Sequence, residues 1–190
     1  MGRQVAFLRR LLLQRPVIDG SLGFSIVGAR SSRYLSQKKV THILSVCTDP
    51  IPGELPESGF VHMRIPVEDT NNTNLLAHLP AACDFIDRAL RSGGVVFVHS
   101  VHGISRGPAV VAAYLMWSRR IQLTEALKVI RYGHPRMWPQ DGFMGQLMVF
   151  ELCGYAPPES TENGTYNWPD GATNEKSVKL VVPSTVDPAC

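Results

Sequence analysis

The residues best suited to chemistry lie together in Val98-His99-Ser100-Val101-His102-Gly103-Ile104-Ser105-Arg106. A short apolar run, GVVFV at 94–98, precedes them, and a long helix-forming run follows from Arg106. A strand–loop–helix junction of this kind presents backbone N–H groups to an anion, and the helix N-terminus adds partial positive charge. Gly103 lets the loop turn tightly around a ligand. Arg106 opens the helix, and its planar guanidinium can grip two oxygens at once, which lysine does less well. On physical grounds the junction is a candidate oxyanion site. His62, His78 and His134 show no metal-ligand spacing, so no metal and no cofactor are expected.

The elements around the junction alternate between strand and helix. Phe24–Val27 is a short strand candidate, Ser31–Lys39 a helix, and the β-rich, mostly apolar Thr41–Val46 a buried strand. Residues 50–59 hold three prolines and two glycines and read as loop. Phe60–Ile65 is the next strand. Leu75, Leu76, Leu79, Cys83, Ile86, Ala89 and Leu90 form one helical face, with Asn74 as its N-cap and Gly93-Gly94 as its stop. Gly94–Val98 is a central strand, and helices follow at Arg106–Arg119, Thr124–Tyr132 and Asp141–Leu152. Thr124 with the acid after it makes a helix start. This alternation predicts an α/β domain with a central, mostly parallel sheet of four or five strands and helices on both faces.

Composition bounds the function classes. Of 190 residues 44% are hydrophobic and 18% charged, which describes a globular chain of one ordinary domain. No run of about 18 apolar residues is present, so no membrane-spanning helix is expected. Cys47, Cys83, Cys153 and Cys190 lie far apart, which excludes a zinc ribbon, argues against a disulfide framework and makes a reducing compartment the default. The net charge of +3 is too small to imply nucleic acid binding. Its distribution is uneven. Residues 1–18 carry Arg3, Arg9, Arg10 and Arg15 with no acid, whereas residues 154–190 carry two lysines and five acids.

Three segments result: a basic N-terminal helix (1–18), a domain (19–155) and a polar tail (156–190) without a core of its own. The N-terminal helix packs on the domain, serves as a mitochondrial presequence, or makes weak contact with a membrane surface. The sixth residue is Ala, which excludes a myristoylation signal. Asn163-Gly164-Thr165 matches a glycosylation sequon by chance, because no secretory signal accompanies it. The expected location is cytoplasmic or nuclear, with the basic N-terminus leaving the mitochondrion as the minority alternative.

The loop resembles the signature of the cysteine-dependent protein phosphatases: His-Cys, five residues, then Arg. Further matches are specific to the dual-specificity phosphatase family. They are Glu68-Asp69-Thr70 with Asn74-Leu75-Leu76 and Phe85-Ile86-Asp87; Pro108 to Met116; Leu123 to Leu127; His134-Pro135; and Asp141-Gly142-Phe143 with Gln146-Leu147. The resemblance covers residues 20–155. It implies a two-step mechanism in which a thiolate attacks phosphorus, an aspartic acid protonates the leaving oxygen, and water hydrolyses the cysteinyl-phosphate. Carried over, Asp69 is the acid and Ser100 stands at the nucleophile position. Val101, His102, Gly103, Ile104, Ser105 and Arg106 hold the phosphoryl oxygens, and His99 orients the loop. The implied ligand is a phosphorylated protein or peptide.

The departures weigh as much as the matches. Ser100 replaces the cysteine, and a hydroxyl is a weak nucleophile unless a base activates it. His99 is adjacent in sequence, yet in this fold its ring faces away from the bound phosphate. Little or no turnover is therefore expected. Gly107 stands where the family usually has Ser or Thr, and Gln140 where it commonly has a loop-bracing asparagine. Ser100 is either natural, as in STYX-type pseudophosphatases, or a substrate-trapping replacement in an active-type phosphatase. Gly107 favours the first and the retained Asp69 the second. A third possibility is an interaction scaffold with a vestigial phosphate loop. His102 reads as a solvent-facing loop residue, Met144 and Met148 as core, Arg119-Arg120 as a dipole-compensated helix end, and Trp138 as either a pocket wall or a packing residue.

Overall fold

A computed structural model describes residues 26–155, together with the two-residue strands Glu159–Ser160 and Tyr166–Asn167. The expected N-terminal helix, the sequon, Cys190 and most of the tail lie outside the described residues. Three strands, β1 (His42–Val46), β2 (Val61–Ile65) and β3 (Val96–His99), form a parallel sheet in the order β2-β1-β3. Among the described residues the main sheet thus has three strands, not four or five. Glu159–Ser160 and Tyr166–Asn167 pair with each other, antiparallel, in a separate two-stranded sheet.

The strand expected at 24–27 is not formed at its described end. Ile26 and Val27 instead begin a single helical turn, α1 (Ile26–Ala29). Gly28 and Ala29 of this turn are buried, with Ala29 in a cluster that includes Ile43 and Phe97, and this packing overrides a short β-branched pair. Helix α2 (Ser32–Gln37) follows, with the Ser31 hydroxyl accepting from the Tyr34 amide. Residues 50–59 carry two 3-10 turns, Pro52–Glu54 and Pro56–Ser58.

The other face of the sheet carries α3 (Leu79–Arg91), α4 (Arg106–Arg119), α5 (Leu123–Gly133) and α6 (Asp141–Leu152). The helix predicted from Leu75 begins as a 3-10 turn, Leu76–His78, whose Ala77 amide is accepted by the Asn74 side chain. Helix α3 then starts with Pro80 in its first turn, where a missing N–H is harmless. Helix α5 starts one residue before Thr124, and the Leu123 amide is accepted by Glu151. Helix α4 is buried from Arg106 to Met116, so its apolar residues run around the whole circumference.

Alternation along the strands assigns the faces. Leu44, Val46, Val96, Val98 and Ile65 pack toward α3–α6, and Ile43 and Phe97 pack toward α1 and α2. Ser45 and His99 are register partners in the β1–β3 pair and share the second face. Met144 packs against the larger core, but Met148 is exposed, so the expected core pair on α6 is only half realised. No helix among the described residues is long and apolar enough to cross a membrane.

Candidate functional site

The loop between β3 and α4 is shaped by what its carbonyls do. The Val101 carbonyl accepts from the Ile26 amide at 3.3 Å, the Gly103 carbonyl bonds the His134 ring at 3.1 Å, and the Ile104 carbonyl accepts from the Trp138 amide at 2.9 Å. Outside elements therefore hold the carbonyls, and no amide of residues 101–106 donates to a protein acceptor among the described residues. Gly103 has φ 73, a left-handed conformation that glycine adopts without strain. The result is a run of N–H groups left without a protein acceptor among the described residues, at the start of a 14-residue helix.

At its base Ser100 is 1% exposed. Its Oγ accepts from the Gly107 amide at 3.3 Å. No base reaches this oxygen among the described residues. His99, the nearest in sequence, is turned to the opposite face of the sheet, where its Nε2 meets Ser45 Oγ at 2.7 Å. The same Oγ meets His62 Nε2 at 2.8 Å. A single hydroxyl proton cannot serve both rings, so one imidazole donates to Ser45 and the other accepts from it. His62 Nε2 also lies 3.6 Å from Glu54, which in turn pairs with Arg64. Burial first, then the neighbouring His62 and Arg64, push the His99 pKa down to about 3, so its ring is neutral.

Arg106 is 4% exposed and held from two sides. Its Nη1 donates to the Val67 carbonyl at 2.9 Å, and its Nε lies 3.5 Å from an Asp69 oxygen. Asp69 comes from the segment after β2. Its other oxygen accepts from Ser105 Oγ at 2.7 Å and from Gln140 Nε2 at 2.7 Å. Gln140 also gives its backbone amide to Ser105 Oγ at 3.2 Å. The segment carrying Asp69 is fastened to α6. Gln146 accepts from the Leu75 and Leu76 amides and donates to the Thr73 carbonyl, and the Gly142 amide donates to Asn71 Oδ1.

Ser100, Arg106, Asp69, Ser105, Gly107 and Gln140 are therefore brought together. His99 is adjacent in sequence but faces away. Val101 is half-buried, Gly103 is buried, and His102 and Ile104 are exposed at the mouth. Trp138 is 62% exposed with the Arg131 guanidinium 4.8 Å from its ring centroid, so it does not pack in the core. Gln140, read from sequence as a departure from the loop-bracing residue, reaches Asp69 and Ser105 directly. Sequence reasoning missed Ser45, the Val67 carbonyl and His134. Ser45 could have been found as the one hydroxyl inside the otherwise apolar strand ILSV, since a buried polar side chain needs partners. His134 stood in the matched His134-Pro135 pair but was not read as a loop contact, and the Val67 carbonyl carried no local signal.

Backbone amides without a protein acceptor, a buried guanidinium and a carboxyl group around one loop are the chemical components of a site for a tetrahedral dianion. Comparisons with known proteins give the family. The family model "Dual specificity phosphatase, catalytic domain" matches residues 26–153. Dual specificity protein phosphatase 1-A of Xenopus laevis is 40% identical over 109 residues, which is 57% of this chain and 30% of that protein. Human DUSP28(Y102H) is 36% identical in structure comparison, with TM-score 0.63, covering 67% of this chain and 86% of that one. The human tyrosine phosphatase-like serine/threonine/tyrosine-interacting protein is 27% identical, with TM-score 0.63, covering 70% of this chain and 91% of that one. Fold, loop and matches converge on one assignment: the chain belongs to the dual-specificity phosphatase family.

Proposed function

We propose that this chain is a pseudophosphatase that binds phosphorylated Tyr, Ser or Thr side chains of proteins through residues 101–106 and hydrolyses them little or not at all. The observation that carries this reading is the environment of Ser100. Its oxygen meets a backbone donor and no base, while the amides and Arg106 that grip phosphate are kept. A serine hydroxyl in that setting stays protonated, and each tenfold of lost rate corresponds to about 1.4 kcal/mol of barrier. A neutral hydroxyl also removes the repulsion a thiolate would exert on a phosphate dianion. The likeness to the human interacting protein supports a binding role.

Asp69 has a use in a protein that does not turn over. Its carboxylate joins Ser105, Gln140 and Arg106, and so ties the segment after β2 to the loop. With a cysteine at position 100 the same carboxyl group would stand as the proton donor to the leaving oxygen. His99 acts as a positioning residue through Ser45.

The test is phosphate release from an aryl phosphate by the parent and by Ser100→Cys, with binding of a phosphotyrosine peptide measured in parallel. The expected result is turnover by the variant only, with peptide bound by the parent and lost on Arg106→Lys. Turnover by the parent at a rate close to that of the variant overturns the impaired reading. A parent that binds no phosphopeptide overturns the retained cradle.

A further inference from the structure

The connection between α5 and α6 is joined to the phosphate loop at three successive points: His134 to the Gly103 carbonyl, the Trp138 amide to the Ile104 carbonyl, and the Gln140 amide to Ser105 Oγ. The residues on either side of Trp138, Met137 and Pro139, are buried, yet the indole itself is 62% exposed. Ile104, whose carbonyl it caps, is 41% exposed. Two large apolar side chains thus stand in solvent at the rim of the anion site, on backbone fixed to that site. A tryptophan is mostly buried in a folded protein, and an exposed apolar pair next to a binding cleft marks a contact surface. Arg131 extends the surface. Its guanidinium lies over the indole, and among the described residues no carboxylate pairs with it. Apolar area, an aromatic face and an unpaired cation are the ingredients of an interface hot spot.

Resting on the proposed phosphate-binding function, we propose that Ile104, Trp138 and Arg131 form a subsite for the residues adjoining the phosphorylated one. It takes a protein segment with a large apolar side chain beside the phosphorylated residue and a carboxylate beyond it. The phosphoryl group enters the cradle, the apolar side chain covers Ile104 and the free face of Trp138, and the carboxylate meets Arg131. Ile104 and Trp138 select the segment and Arg131 adds its charge preference, while the cradle supplies the grip on phosphate common to all ligands.

Phenyl phosphate and two phosphotyrosine peptides test this on the full chain. One peptide carries Leu then Glu beside the phosphotyrosine, and the other carries Gly at both positions. Dissociation constants are measured for the parent, Trp138→Ala and Arg131→Gln. The parent is expected to prefer the Leu-Glu peptide by about tenfold or more, the scale of a tryptophan-centred contact. Trp138→Ala removes most of that preference and leaves phenyl phosphate binding unchanged, and Arg131→Gln removes the part due to Glu. Equal affinity of the parent for both peptides, with phenyl phosphate bound, overturns the subsite alone. Trp138→Ala that keeps the full preference also overturns it. Failure of the parent to bind phenyl phosphate or either peptide overturns the phosphate-cradle reading, and the subsite with it.

Discussion

Acidification should loosen this domain through His99, and the size of the effect follows from its surroundings. The ring is fully buried, and its pKa lies near 3 because of burial and the neighbouring His62 and Arg64, with Arg106 adding in the same direction. In the unfolded chain a histidine titrates near 6.5. Between those two values the unfolded chain holds a proton that the native one does not, so stability falls as pH falls from about 6.5 toward 3. At pH 5 the gap from 6.5 is 1.5 units, which at about 1.36 kcal/mol per unit gives roughly 2 kcal/mol lost relative to pH 7.5. The pKa values of His42, His62 and His134 are lowered as well, chiefly by burial, so the whole protein loses more than this. The His99 share is isolated by His99→Asn, which keeps a polar side chain on the same face of β3. Urea unfolding at pH 7.5 and pH 5.0 reads the result. The variant is less stable at both pH values, but its loss between them is about 2 kcal/mol smaller than the parent's. A variant that loses as much as the parent on acidification refutes the argument.

Two further perturbations address the segment that carries Asp69. A Cβ on Gly142 would press on the Asn71 carbonyl and lie 2.6 Å from its Cα, and backbone cannot swing aside as a side chain can. Gly142→Ala is expected to displace Asp69 from Arg106 and, in a Ser100→Cys background, to lower aryl phosphate turnover on the order of 10²-fold, the scale of a misplaced catalytic group; unchanged turnover counts against the placement. Gln146→Leu removes the acceptor of the Leu75 and Leu76 amides beside two buried leucines; the Leu75 amide keeps the Thr73 carbonyl at 3.1 Å, and the Leu76 amide is left without a partner among the described residues. At about 1–3 kcal/mol for one buried polar group left unpaired, the loss expected in urea unfolding is about 1–3 kcal/mol, and a variant as stable as the parent counts against the role of Gln146.

Much of the fold was legible because its elements are written locally. The runs 42–46 and 96–99 are short, apolar and β-rich, and α3 and α5 place their apolar residues on one face. Helices α4 and α6 start and end at the predicted residues. The errors fall where a distant contact decides. Ile26 and Val27 have strand propensity, but the Ile26 amide goes to the loop carbonyl of Val101 and the turn after it packs on Phe97. Met148 repeats at helical spacing from Met144, yet α6 turns that position to solvent.

The same division runs through the site. Ser100, Gly103 and Arg106 were legible as candidates because the loop that carries them is contiguous in sequence and each residue type has a stated physical use. The groups that shape the loop come from Ile26, His134 and Trp138, and two of those three contacts use backbone N–H donors whose side chains are free to vary. Side-chain identity alone therefore cannot report them. Nor can it report Asp69's second duty, because a carboxylate that donates a proton and one that only accepts hydrogen bonds are the same letter. The structure shows the second duty: with Ser100 in place, Ser105, Gln140 and Arg106 converge on Asp69. None of those contacts involves the side chain of Ser100, whose Oγ meets only the Gly107 amide among the described residues. In the proposed pseudophosphatase, replacing the nucleophile therefore removes none of the hydrogen bonds that hold Asp69 to the loop, and this independence is what lets phosphate binding persist without turnover.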